Sequence, residues 1–307
     1  MKLKTLLCGI AALSMAFAAQ PSRAEVVNIG VGIDAAYAPF FVANHRGLFK
    51  KAGVDVNLIR FAQGGEGVDA VIAGQTQLSG AADQTNMIRI ARGDLRPLAI
   101  YEESGTYIKL AVKPAISDPR QIKKFGIVKG TVSEYSAQMA LKKYGIDPAT
   151  VQFVPSGPPE LPALLARGDI DGFFAWEPWP GIAVKQGNKT IATSGDVGYA
   201  YTMWLCAAGP WLEKNTAAAK AVLTALADAN RQIAADPAKA AEDLHAVTKL
   251  PAADTIGFLK ETSWKVRDFT DADVAGYERI ADFLVAQKAT PTRVDLRKAL
   301  QFGFFKE

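Results

Sequence analysis

The side chains able to do chemistry in this sequence are few, and their spacing favours holding a molecule over transforming one. Acid, base or nucleophilic catalysis needs such groups within reach of one another. The stock is two histidines, His45 and His245, and two cysteines, Cys8 and Cys206. No His-Glu-x-x-His, Cys-x-x-Cys or Gly-x-Ser-x-Gly spacing occurs. His45 precedes Arg46-Gly47 at an expected helix end, where a basic group meets the last carbonyls. His245 falls in a helical stretch far along the chain. Gly30-Val-Gly32-Ile-Asp-Ala35, with Asp55 further on, matches the dinucleotide pattern weakly. Ile29, Val31 and Ile33 carry the strand through both glycines, and Pro39 opens the helix too late. No metal or cofactor is expected.

Binding chemistry is better represented. Thr131, Ser133 and the amides after Gly130 form a helix start, which suits an anionic oxygen because free N–H groups and the helix dipole point outward. Capping alone explains the same residues. Ser156, inside Pro155-Ser-Gly-Pro-Pro159, would donate a second hydrogen bond, unless those prolines only shape a turn. In Phe174-Ala-Trp176-Glu177-Pro-Trp179, Trp176 would lie on a ligand and Glu177 would pair with a cation or an N–H group. The alternative is that both tryptophans fill a seam between lobes. Asp34, Tyr37, Asp83, Gln84, Asn86, Tyr101 and Glu102 fall at or just after expected strand ends. Carboxylates at that rim lean towards a ligand carrying an amine or ring N–H as well as an anion.

The elements that must position these residues alternate. Strand-like runs at 26–33, 54–59, 97–101, 108–112, 125–128, 151–154 and 170–175 are separated by helical segments, which predicts an α/β protein with mainly parallel sheets. Gly47, Gly74, Gly93, Gly145 and Gly168 supply helix stops, and Thr131-Val-Ser-Glu134 reads as a capping box. After about Trp211 only helices are expected, with Val222, Leu226, Ala229 and Ile233 on one face. Ala70-Val-Ile-Ala-Gly74 with its following strand echoes Ala163-Leu-Leu-Ala-Arg-Gly168 and its own. Two such units predict two similar lobes with chain crossings near 105–112 and 200–208. Ligands in open α/β sheets sit beyond the carboxyl ends of the strands, so the facing lobes should enclose a cleft.

The beginning of the chain has a different character. Met-Lys-Leu-Lys, an apolar run from Leu6 to Ala19 and Ser22-Arg-Ala24 read as a secretory signal peptide over residues 1–24. That run is too short to span a membrane and stay, and no other stretch approaches the roughly 20 unbroken apolar residues of a membrane span. Removing Lys2, Lys4 and Arg23, with no acidic residue among the first 24, lowers the formal charge from +4 to +1. A nearly neutral surface argues against a nucleic-acid partner. Cys206 alone remains, so an oxidising compartment finds nothing to pair within the chain.

Tyr37-Ala-Pro-Phe-Phe-Val-Ala-Asn-His-Arg-Gly-Leu-Phe-Lys-Lys-Ala-Gly-Val-Asp-Val56 resembles the opening signature of nitrate, sulfonate and taurine-type ABC transporter substrate-binding proteins. The likeness continues through Gly64-Gly65, Gly130-Thr131, Pro155 and Gly168-Asp-Ile-Asp-Gly-Phe-Phe-Ala-Trp-Glu-Pro178. It implies a type II periplasmic-binding fold: lobe I from 25–107 and 206–307, lobe II from 108–205. It further implies a periplasmic monomer that closes on a small molecule and docks on the permease and ATPase subunits of an importer. On that resemblance Tyr37, Asp83 and Gln84 meet Thr131, Ser156, Trp176 and Glu177 across the cleft. The superfamily also holds binders of a thiamine-precursor pyrimidine, and enzymes that rely on a cysteine-rich segment and a sacrificed histidine, neither of which is seen here. Sulfonate and nitrate sites favour N–H donors and positive charge, whereas these candidates are acidic and aromatic, with Lys129 the nearby cation. A taurine-like zwitterion or a small nitrogen heterocycle would use both kinds of group.

Overall fold

A computed structural model describes residues 26–306; the expected signal peptide lies outside the described residues. The chain runs β1 (Val27–Val31), α1 (Ala38–His45), α2 (Leu48–Lys51), β2 (Val56–Arg60), α3 (Gly64–Ile72), β3 (Leu78–Ala82), α4 (Asp83–Ile90) and β4 (Leu95–Ser104). It continues through β5 (Ile108–Val112), β6 (Lys124–Ile127), α5 (Val132–Tyr144), β7 (Gln152–Pro155), α6 (Leu161–Arg167), β8 (Gly172–Trp176), α7 (Trp179–Lys185), β9 (Lys189–Thr193) and β10 (Tyr201–Ala208). Helices α8 (Gly209–Ala235), α9 (Pro237–Thr248), α10 (Ala252–Glu261), α11 (Asp271–Ala286) and α12 (Leu296–Ala299) complete it.

Two five-stranded sheets result, ordered β2-β1-β3-β10-β4 and β7-β6-β8-β5-β9. The second repeats the first: β6, β7 and β8 stand where β1, β2 and β3 do, so the α3-β3 and α6-β8 echo read from the sequence occupies equivalent places. In each sheet the fourth strand comes from the other lobe. β5 enters directly after β4, and β10 enters after β9. These entering strands pair antiparallel with both neighbours, so the sheets are mixed, not mainly parallel as expected. Parallel pairing is confined to β1 with β2 and β3, and to β6 with β7 and β8. β10 pairs with β4 from Tyr201 and with β3 from Met203.

The two crossings lie side by side. The Gly195 N–H donates to the Gly105 carbonyl at 2.7 Å, and a Cβ on Gly195 would stand 2.9 Å from that oxygen. Glycine is required there by the close approach of two backbones. This pair marks the hinge.

Helices α8 and α9 coat the first lobe. α8 buries Ala219, Val222, Leu223, Leu226, Ala229 and Ile233 on one face, against α1, α2 and β4. Arg46, at the end of α1, donates to Asp243 Oδ2 at 2.6 Å and to Gln232 Oε1 at 2.7 Å. That pair sits beneath the helical coat with Asp243 only 4% exposed, so breaking it would strand a charge.

Candidate functional site

The two sheets point the ends of their parallel strands at one another, and between them lies a small cavity, partly open to solvent, with about 50 Å³ of room for water-sized molecules. The first lobe contributes Asp34 and Tyr37 after β1, Gln63-Gly64-Gly65 at the start of α3, Ala81 and Ala82 of β3, and Thr85 of α4. The second contributes Thr131 and Val132 at the start of α5, and Trp176 at the end of β8. Tyr107 and Ile108 from one crossing, with Tyr201 and Met203 of β10, form the wall beside the hinge.

Two helix starts therefore face each other across the space. Gly64 and Gly65 are the first residues of α3, whose preceding Gln63 gives no side-chain cap. Their N–H groups are orphan donors of a first helical turn. A Cβ on Gly64 would collide with the Tyr37 hydroxyl, and one on Gly65 would come within 2.6 Å of Arg89 Nη2. The glycines are thus a packing requirement: they let the helix start come down onto Tyr37. Opposite, the Thr131 hydroxyl donates to the Val128 carbonyl at 2.8 Å and accepts from Ser133 N at 3.2 Å, leaving the Val132 N–H as an orphan. Glu134 completes this turn differently from a capping box, accepting from Gly130 N at 2.8 Å.

The lining contains no lysine or arginine, and Asp34 is its one carboxylate. Asp34 caps a short turn, accepting from Ala36 N at 2.9 Å, and its Oδ1 also accepts from Tyr107 Oη at 3.1 Å. Burial outweighs these bonds and pushes its carboxyl up to about 6. Behind it Glu102 Oε1 accepts from Tyr201 Oη at 2.5 Å, and burial pushes this acid well above the usual carboxylate range. Tyr37, Tyr107 and Tyr201 are held well above 10 by burial, so their hydroxyls stay protonated.

Of the residues singled out from the sequence, Asp34, Tyr37, Thr131 and Trp176 line the cavity. The others lie elsewhere. Asp83 is fully buried at the start of α4, accepting from Tyr199 Oη, from Gln84 N at 2.6 Å and from Thr202 N at 3.1 Å. It ties α4 to the second crossing. Gln84, Tyr101 and Glu102 are fully buried behind the lining. Ser133 bridges strands, donating to the Phe174 carbonyl at 2.6 Å and accepting from Val128 N at 3.0 Å. Ser156, at the sheet edge after β7, donates to the Gly157 carbonyl. Glu177 binds Lys109 Nζ at 2.8 Å through one oxygen and Gly181 N at 2.9 Å through the other, so its carboxylate is already committed. It faces a separate crevice beside Phe258 and Asp254.

Several lining residues carried no chemical signal. Tyr107, Tyr201 and Met203 arrive on the crossings, whose strand β10 was not anticipated. Gly64-Gly65 entered the sequence reading only through the resemblance, and its place opposite Thr131 depends on the second sheet repeating the first.

Residues 20–248 match the model of the NMT1-like family. The taurine-binding periplasmic protein of Escherichia coli strain K12 is 27% identical over 270 residues, 83% of each chain. The putative aliphatic sulfonates-binding protein of the same organism is 23% identical over 306 residues, covering 97% of this chain and 95% of that one. The crystal structure of the periplasmic aliphatic sulphonate binding protein SsuA from Escherichia coli superposes with a TM-score of 0.80 at 21% identity, covering 92% of this chain and 94% of that chain. At that identity the likeness shows the fold, which is the two-lobed periplasmic-binding fold with its cleft between the lobes. Among the described residues no helix is long and apolar enough to cross a membrane.

Proposed function

We propose, from the premise that the chain belongs to the NMT1-like family, that it is the solute-binding component of an ABC importer. Outside the cytoplasmic membrane it captures a small organic molecule bearing a sulfonate or similar oxoanion. The observation that carries this is the pair of opposed helix starts, Gly64-Gly65 on one lobe and Thr131-Val132 on the other, in a cavity without lysine or arginine. Backbone N–H groups and helix dipoles hold an oxoanion without a formal positive charge. An anion bridging both helix starts favours the closed arrangement, since a ligand shifts a conformational equilibrium only by what it gains in one state over the other. The closed lobes would then be the form that the permease receives.

The relatives' names support the ligand class: one is named as taurine-binding and the other as a putative aliphatic sulfonates-binding protein. We read the chain as a receptor that leaves its ligand unchanged. The cavity lining holds neither histidine nor cysteine, and Cys206 is buried in β10 with its thiol pushed well up by burial. A second reading, capture of a small nitrogen heterocycle such as a thiamine-precursor pyrimidine, is favoured by the tyrosines, Trp176 and Asp34 around the cavity.

A thermal-shift screen with alkanesulfonates, 2-aminoethanesulfonate, nitrate and aminopyrimidines separates the two, since a ligand of the folded state raises the melting temperature. We expect stabilisation by sulfonates and full recovery of the ligand after denaturation. Stabilisation by aminopyrimidines alone would move the chain to the second reading, and turnover of a ligand would overturn the receptor assignment.

A further inference from the structure

We propose that Arg89, lodged behind the first turn of α3, is the charge that makes this helix start prefer an oxoanion to a neutral head group, and that Asp69 sets how much of that charge the cavity feels. This rests on the anion reading above and adds a specificity-determining residue that lies outside the cavity lining.

Gly65 lines the cavity and is buried, and its φ is not in the left-handed region, so its backbone alone does not call for glycine. The space left by its missing side chain is filled by a guanidinium. A Cβ on Gly65 would stand 2.6 Å from Arg89 Nη2, 2.9 Å from its Cζ and 3.2 Å from its Nη1. Arg89 reaches this place from α4 and is held there. Its Nε donates to Asp69 Oδ1 at 2.9 Å, its Nη2 to Asp69 Oδ2 at 2.8 Å and its Nη1 to the Thr85 carbonyl at 3.2 Å. Thr85 lines the same cavity. The guanidinium thus lies against two lining residues from behind.

Electrostatics turns this packing into selectivity. Acids stabilise the first turn of a helix, whereas a guanidinium there adds to the positive end of the dipole. Asp69, one turn further along α3, makes the placement tenable. The two charges are screened unequally: the Asp69 side chain is 50% exposed and that of Arg89 14%, so water damps the carboxylate more than the guanidinium. A positive remainder is left at the Gly64 and Gly65 N–H groups. Its reach is seen at Tyr37 in the lining, whose hydroxyl is pushed up by burial and by the Asp34 and Glu102 carboxyls, against the opposing pull of Arg89. The acid of the first turn itself, Glu66, is exposed and accepts from Ala62 N at 3.0 Å, ahead of the helix. An arginine carries five N–H donors. One on Nη1 and one on Nη2, both nitrogens beside Gly65, have no acceptor among the described residues. An anion at the start of α3 brings negative charge to that spot.

Removing one partner of the pair at a time separates a role in the site from a role in the fold. An ion pair that serves only the fold is lost with either partner, whereas a cation that serves the site gains when its counter-charge goes. Titration calorimetry of the whole protein at pH 7.5 would compare 2-aminoethanesulfonate with 2-aminoethanesulfonamide, which differ only in the charge of the head group. We expect the parent to prefer the sulfonate by at least about tenfold, and Arg89→Met to erase most of that preference while changing sulfonamide affinity by less than about twofold. Asp69→Asn should lower the melting temperature of the unliganded protein, because it strands a buried charge, yet tighten sulfonate binding about threefold. Equal weakening of both ligands in Arg89→Met, or weaker sulfonate binding in Asp69→Asn, would overturn the proposal and leave Arg89 as a clamp between α3 and α4. Should Arg89→Met not fold, the sign of the Asp69→Asn effect decides alone. Failure of the parent to bind 2-aminoethanesulfonate or any alkanesulfonate would instead overturn the anion reading, and this inference with it.

Discussion

Gly64→Ala asks whether the start of α3 is part of the binding site or only part of the fold. The added methyl would collide with the Tyr37 hydroxyl, and it cannot recede because Ala81 Cβ and the Gly80 carbonyl each stand 3.2 Å away on the other side. Either the Tyr37 ring or the first turn of α3 must move by on the order of 1 Å, at an overpacking cost of about 1–3 kcal/mol. A hydrogen bond to a charged group contributes about 1.5–3 kcal/mol, so spoiling one at the anion should weaken binding roughly tenfold to a hundredfold. Gly74→Ala is the matched control. Gly74 ends the same helix with φ of +73°, has nothing within 4 Å of its would-be Cβ, and lies outside the cavity lining. Forcing a side chain into that left-handed conformation costs about 1–2 kcal/mol, so the two variants should lose comparable stability in a urea melt. Titration calorimetry with the tightest-binding sulfonate should then separate them: Gly64→Ala weak, Gly74→Ala unchanged. If Gly64→Ala binds within about twofold of the parent, the start of α3 does not hold the anion.

Further consequences concern the acids and the crossings. Binding of an ammonium-bearing sulfonate requires ionised Asp34, whose carboxyl titrates near 6, so affinity should fall about tenfold from pH 7 to pH 5. Ionisation of Glu102 acts in the same direction, and Tyr37 and Tyr107 titrate far above this window. A flat profile would remove Asp34 from the site. Without ligand, Asp34 and Asp83, both raised from 3.8 to about 6, keep protons in the folded state that the unfolded chain has already lost. Their contribution to stability therefore declines as pH rises from about 4 to about 6, and Asp83→Asn should flatten that decline in melting temperature. Glu177→Gln breaks the pairing with Lys109 but should change affinity by less than about twofold, because that carboxylate points away from the cavity. Trp176→Ala, by contrast, should weaken binding roughly tenfold. Tyr107→Phe keeps the stacking on Phe258, at 3.8 Å between centroids, but loses the hydroxyl that touches both Asp34 and Glu177 O. Losing about 1 kcal/mol there should appear as a severalfold faster ligand release in stopped flow.

The fold was legible where pattern and punctuation agree. Alternating strands and glycine stops located β1 to β8, and the echo of α3-β3 in α6-β8 pointed to two lobes. β9 and β10 escaped because their placement depends on exchange between lobes: Tyr201-Thr-Met-Trp-Leu-Cys is strand only because β3 and β4 flank it. The same dependence limited the site. Asp34, Tyr37, Thr131 and Trp176 stand at ends of strands or starts of helices that face the cleft, as their positions suggested. Asp83, Ser133 and Glu177 occupy similar sequence positions, yet each spends its polar atoms on a crossing, a strand or a lysine brought near by folding. A polar residue after a strand signals proximity to the cleft. Which way it turns is decided by partners distant in the chain.

A crystal structure of the protein grown with 2-aminoethanesulfonate tests the central claim most directly. The account predicts closed lobes, with sulfonate oxygens within about 3 Å of the N–H groups of Gly64 or Gly65 on one side and Val132 on the other. A sulfonate bound to side-chain cations elsewhere, or bound by one lobe alone, would contradict it.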